Sequence, residues 1–229
     1  IKQCMASCSR QMREKGLDVR AVRAIMGDGI ICGIAGIDAD GNAITPYINY
    51  LDSRTADDVQ ALKEKNYSIW AKETGNAEPN VMFPAMFARW FMKHIPAWKE
   101  KGVKFVHNCP YVLMHLAGLS GTDAFIDWGM MSGWGLGYHV IEKRWSAEQL
   151  RLLGIDAAYM PKIVKPWDII GTLQEEDALE TGFPAGIPIC AGAGDTMESM
   201  MGSGILEAGR AVDVAGTCAM FCAATDGII

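Results

Sequence analysis

Apolar and polar positions alternate in blocks along the chain, and the blocks change period as they go. Residues 1–20 mix apolar and polar positions at helical spacing and predict a helix that ends near Gly16. Residues 22–25 read as a short buried strand. Residues 30–37 are apolar and rich in β-branched and small side chains, and they stop at Asp38-Ala39-Asp40-Gly41. That turn signal predicts a hairpin whose second strand lies around residues 43–50. Residues 55–65 form a charged amphipathic pattern, with Ser53 or Thr55 to cap it and Asp57 and Asp58 in the first turn.

Further helices are predicted at 84–95, beginning at 111–116, at 147–153 between a Ser146 cap and Gly154, and at 175–181. Met82, Phe83, Met86, Phe87, Trp90, Phe91 and Met92 read together as one apolar helix face, which belongs to a core. Residues 130–137, rich in glycine and large apolar side chains, read as a loop. Residues 187–191 predict a buried strand that runs into a glycine turn, followed by a helix at 196–201 and strands at 211–214 and 220–223. Strands alternating with helices make this an α/β chain. Without an internal repeat or a clear linker, the 229 residues read as a single domain.

Composition narrows the function classes. Half of the residues are hydrophobic and 21% are charged, the balance of a folded soluble protein. The net charge of −6, without a basic run, argues against nucleic acid and anionic lipid as partners. No apolar run is long enough to span a bilayer, and Ile1-Lys2-Gln3-Cys4 does not read as a charged-then-apolar signal leader. The missing initiator Met reads as the mark of an internal fragment. Seven cysteines (4, 8, 32, 109, 190, 218 and 222) show no metal-ligand pairing with the four scattered histidines. They read as reduced thiols of a cytoplasmic protein, with no metal site.

The chemistry concentrates in Gly192-Ala193-Gly194-Asp195-Thr196, followed about twenty residues later by Gly216-Thr217. Small residues let the backbone approach a ligand closely. An acid held there is placed to take a proton from a substrate hydroxyl. The bland alternative is a helix N-cap after a glycine turn, and a capping Asp can still face a cleft. Thr196 stands evenly between substrate contact and helix start.

The ordered motifs resemble the FGGY family of carbohydrate kinases, and within it the pentulose kinases of the xylulokinase type. Asp38-Ala39-Asp40-Gly41 and Tyr50-Leu51-Asp52-Ser53-Arg54 resemble the family's D-x-d-G and W-x-D-x-R. Trp145, Leu150 and Leu153-Gly154-Ile155 resemble its W-x-x-x-x-L-x-x-x-G-I. The segment Thr181-Gly182-Phe183-Pro184-Ala185-Gly186-Ile187-Pro188, then Gly192-Ala193-Gly194-Asp195 and Gly216-Thr217, is similar to its T-G-L-p-a-G-t-P-V, G-a-G-D and G-T-s. The resemblance implies a ribonuclease H-like (actin-like ATPase) domain, a mixed sheet flanked by helices. This would be the family's first, sugar-binding domain, lacking its first hairpin and without the second domain.

The resemblance also implies roles. Asp195 would be the general base toward a ketose hydroxyl that attacks the γ-phosphate of ATP, with Mg²⁺ as the accompanying ion. Gly216 and Thr217 would lie at the nucleotide phosphates. Tyr50, Asp52, Ile31, Cys32 and Thr196 would lie at the sugar, and a homodimer is the assembly the family implies. Asp127 matches the acid of the family's t-D-x-s-x-A, and the glycine–aromatic stretch after it is expected near the sugar side.

Two departures shape the alternatives. Where xylulokinases carry a polar Q-M-H, this chain has Ile30-Ile31-Cys32, and Tyr50 stands where the family has Trp. The first reading is a kinase for a xylulose-like pentulose. The alternatives are a kinase for another ketose or a polyol, and a non-catalytic sugar-binding or regulatory relative. Another actin-like ATPase is disfavoured by the T-G-F-P-A-G-I-P segment.

Overall fold

The computed structural model of the protein describes residues 1–215 and 219–227. The chain opens on α1 (Lys2–Glu14), a largely polar helix whose one buried residue, Ser9, donates from Oγ to the Thr181 carbonyl at 2.6 Å. The expected strand at 22–25 is reduced to a single bridge, Ile25 to Ile189. Val22 and Ile25 are only half-buried and the residues between them exposed, so nothing holds the rest of that segment in a ladder. Pairing resumes at β1 (Asp28–Gly29), and β2 (Gly33–Ile37) follows, buried along its whole length. The predicted hairpin is present: β3 (Ile48–Asn49) returns antiparallel to β2, with Ile34 opposite Ile48.

Next come α2 (Ala56–Lys63), α3 (Ile69–Thr74), α4 (Pro84–His94) and α5 (Pro96–Lys101). The last two each start with proline at the first helical position, where its missing N–H costs nothing. Met82 and Phe83 precede α4 and are only half-buried, so the apolar face that enters the core is Met86, Phe87 and Phe91. Then β4 (Lys104–Val106) pairs antiparallel with β2. Trp98 and Phe105 stack at 4.0 Å, with Phe91, Phe105 and Trp134 continuing the aromatic core.

The helix α6 (Asn108–Leu116) leads to β5 (Phe125–Asp127) and α7 (Trp128–Gly133). This corrects the expected loop: residues 128–133 are helical because Asp127 caps their free amides, a signal masked by two glycines. The hairpin of β6 (Tyr138–His139) and β7 (Arg144–Trp145) precedes α8 (Ala147–Leu153), where Ser146 accepts from Gln149 N as expected. The strand β8 (Lys162–Val164) runs parallel to β5, and β9 (Ile169–Thr172) leads to α9 (Glu175–Thr181), which packs on α1. The chain closes with β10 (Pro188–Cys190), β11 (Ala193–Gly194), α10 (Asp195–Gly202), β12 (Ala211–Ala215) and β13 (Ala219–Ala223).

The pairings are mixed, parallel in β1–β11 and β5–β8 and antiparallel elsewhere. They form several short ladders with helices packed around them, in place of one long sheet. Among the described residues no helix is long and apolar enough to cross a membrane.

Candidate active site

The parallel pair β1–β11 sets Gly29 opposite Gly194, the residue before α10. The chain leaving β1, Ile30-Ile31-Cys32, therefore runs past the start of that helix. Asp195 is its first residue. One carboxylate oxygen, Oδ1, accepts from the Thr196 amide at 2.7 Å and the Thr196 hydroxyl at 3.4 Å.

Ile31 lies between two glycines. A Cβ on Gly194 would stand 2.1 Å from Ile31 Cγ2, and a Cβ on Gly133 would stand 2.7 Å from Ile31 Cβ. Only glycine leaves that space. The Ile31 carbonyl accepts from His107 Nε2 at 3.0 Å. His107 is fully buried, and burial pushes its pKa down to about 4, so the ring is neutral near pH 7. Cys32 donates its thiol to the Gly133 carbonyl at 3.6 Å, and its own carbonyl accepts from Tyr50 N at 3.0 Å. Burial, and then the charge of Asp195, push that thiol up to about 11, so it stays protonated.

Five of the residues expected at the sugar or the proton transfer meet here. Ile31, Cys32, Tyr50, Asp195 and Thr196 line one cavity of about 310 Å³, in the size range of small-molecule sites. The other lining residues were not expected. Ser199 lies one helical turn after Asp195 on the same face, a signal the i, i+4 spacing carries. Met82 comes from the loop before α4 and has no local signal. Val214 and Met220, from β12 and β13, border the same cavity.

Asp52 does not line it. Its carboxylate pairs with Arg54 at 2.7 Å and also accepts from Arg54 N, while Asp52 N donates to the Asn49 carbonyl, closing the turn that carries Tyr50. Gly216 and Thr217 lie outside the described residues. Among the described residues no group of three or more His, Cys, Asp or Glu side chains converges to hold a metal ion.

Behind the cavity, α7 abuts the start of α10: a Cβ on Gly129 would stand 3.3 Å from Gly194 N. Asp127 is fully buried there. Its Oδ1 accepts from the amides of Gly129 at 2.7 Å and Met130 at 3.1 Å, while Oδ2 has no partner among the described residues. Burial raises its pKa to about 6 against those amides, and the charge of Glu198 adds to the rise.

Comparison with known proteins agrees in sequence and in fold. The model of the FGGY family of carbohydrate kinases, N-terminal domain, matches residues 1–202. A xylulose kinase of Streptomyces coelicolor is 26% identical over 211 residues, covering 89% of this chain and 41% of its own length. An L-fuculokinase of Escherichia coli is 25% identical over 211 residues, with 89% and 42% covered. The structure of a ligand-bound xylulose kinase from Lactobacillus acidophilus superposes with a TM-score of 0.82 at 20% identity, over 96% of this chain and 43% of that one. The chain thus spans about two-fifths of the length of the curated relatives it matches.

Proposed function

The chain belongs to the FGGY family of carbohydrate kinases, and we propose that it carries the acceptor side of an ATP-dependent sugar kinase, with Asp195 as general base. The observation that supports this reading is the convergence of Asp195, Thr196, Ile31, Cys32 and Tyr50 on one cavity. The acceptor is a ketose of the xylulose type. Xylulose kinases among the relatives favour that size.

In this reading a sugar hydroxyl approaches the Asp195 carboxylate from the cavity. Oδ1 is held by Thr196, which fixes the side chain and leaves Oδ2 to accept the proton. The sugar oxygen forms a bond to the γ-phosphorus while the bond from that phosphorus to the β–γ bridging oxygen breaks. ADP leaves and the proton stays on Asp195. Positioning and charge stabilisation carry most of the rate enhancement in such transfers, so the carboxylate needs only to accept one proton in line. Tyr50 offers an aromatic face and a hydroxyl at the cavity mouth. Asp52 acts indirectly: its backbone N closes the turn that carries Tyr50, and its carboxylate ties that turn to Arg54. Gly216 and Thr217 are proposed for the nucleotide phosphates. The described residues bring together no group of three or more metal-binding side chains, and the steps read from them are those of the acceptor side.

The test is ATP-dependent phosphorylation of pentuloses, hexuloses and polyols by the full-length protein, repeated with Asp195→Asn. Turnover that depends on Asp195 supports the kinase. Sugar binding without turnover would instead mark a non-catalytic sugar-binding relative.

A further inference from the structure

The polar groups of Ile31 and Cys32, both of which line the cavity, fall into two sets. The Ile31 carbonyl, the Cys32 carbonyl and the Cys32 thiol are engaged by His107, Tyr50 N and the Gly133 carbonyl. The Ile31 and Cys32 amides have no partner among the described residues. A free main-chain donor beside a cavity calls for an oxygen, from water or from a ligand. His107 decides where one of the two points. The Ile31 carbonyl and the Cys32 amide belong to one peptide group, and no peptide bond among the described residues is cis. In a planar trans peptide the N–H points opposite to the C=O. The carbonyl is turned toward His107, which is fully buried and outside the cavity lining. The Cys32 N–H is therefore turned away from that ring. The ring itself stands on fixed backbone: Val106 pairs with Ala35 of β2, α6 begins at Asn108, and buried Trp134 lies 5.6 Å away between centroids. A carbonyl only accepts, so Nε2 carries the proton. Nδ1 has no partner among the described residues, which leaves the bond to Ile31 as the ring's polar tie there.

We propose that His107 is a positioning residue of the acceptor site: through the Ile31 carbonyl it holds the Ile31–Cys32 peptide so that the Cys32 N–H donates to a sugar oxygen. This rests on the reading of the cavity as the acceptor site of a sugar kinase. His107 touches neither sugar nor phosphate. It is 76 positions from Ile31 in the chain, and no motif marks it. The side chain of Ile31, set between Gly133 and Gly194, holds the same peptide from its other end. The donor serves binding, while proton transfer stays with Asp195.

The experiment uses the full-length protein with D-xylulose as the probe. Binding is measured by calorimetry without nucleotide, and kcat and KM are measured separately with MgATP. His107→Phe keeps a ring and removes the donor, whereas His107→Gln returns an N–H at similar reach. His107→Phe is expected to weaken binding and raise KM about fivefold, the worth of one hydrogen bond, with kcat changed by less than about twofold. His107→Gln is expected to recover most of that loss. A direct readout comes from protein labelled with ¹⁵N-cysteine, in which the Cys32 amide signal is the one missing from Cys32→Ala. That signal is expected to shift when D-xylulose is added to the parent protein and to shift less in His107→Phe. Unchanged affinity in a folded His107→Phe variant, a loss that His107→Gln does not recover, or a Cys32 amide that ignores the sugar in the parent overturns the role of His107. Turnover that still depends on Asp195 would then leave the kinase reading standing. Should His107→Phe not fold, the parent amide signal and the affinity of His107→Gln decide. Absence of D-xylulose binding in the parent protein overturns the acceptor-site reading and this proposal with it.

Discussion

Ile31 fills the space that a Cβ on Gly194 would need, its Cγ2 standing 2.1 Å from that position. The acid at the head of α10 is thus preceded by glycine for a packing reason: the wall of the cavity sits directly on the turn that starts the helix. Gly194→Ala is expected to overpack this contact and cost about 1–3 kcal/mol in urea denaturation. Phosphorylation should fall as well, because the displaced turn carries Asp195. Ile31→Ala in the same chain should recover part of the loss, giving a non-additive double-mutant cycle. Additive losses would show that the two side chains do not compete for the space.

Two buried groups behind the cavity titrate in opposite senses. Asp127, raised to about 6 from a usual 3.8, holds its proton more readily folded than unfolded. Its contribution favours the folded state below about pH 4 and is lost as the pH rises through 6. His107, lowered to about 4 from a usual 6.5, contributes above 6.5 and loses that contribution as the pH falls through 4. Each is worth on the order of 2–3 kcal/mol, so between pH 6.5 and 4.5 they largely offset. Asp127→Asn should leave a steeper loss of stability on acidification than the parent protein shows. His107→Gln should reverse the slope, so that stability rises on acidification. Denaturation midpoints of both variants across that range check the signs.

Asp52 is expected to influence the sugar indirectly. Its pair with Arg54 is partly exposed, so Asp52→Asn should cost less than about 1 kcal/mol of stability. Because that pair ties the turn bearing Tyr50 to the chain that follows it, the variant should raise KM for the sugar about two- to fivefold while leaving kcat nearly unchanged. Steady-state kinetics separate the two. A fall in kcat of tenfold or more would place Asp52 at the reacting atoms.

The elements legible in the sequence are those with a full local signal. The helix α8 has Ser146 before it and Gly154 after it, and α4 has proline at its start and a 3.6-residue apolar face. The parallel pair β5–β8 was not legible, because three residues per strand are too few to show a period. The helix α7 was hidden by its glycines, although Asp127 carried its capping signal. At the site, the acid at 195 and the altered 30–32 segment were readable because both stand in recognisable motifs. Their contact was not readable, because it depends on the register of β1 against β11, 165 positions apart in the alignment Asp28 to Ala193. Met82 reads from sequence as core. It reaches the cavity only because Pro84 starts α4 two residues later and leaves Met82 in the loop.

The role of Asp195 is tested by single-turnover phosphate transfer from MgATP to the preferred ketose in the full-length protein and its Asp195→Asn variant, with sugar affinity measured alongside. Loss of general-base catalysis predicts a fall in rate of about 10²–10⁴-fold, with sugar affinity changed by less than about threefold. An Asn variant that binds the sugar normally and keeps the parent rate would contradict Asp195 as the base.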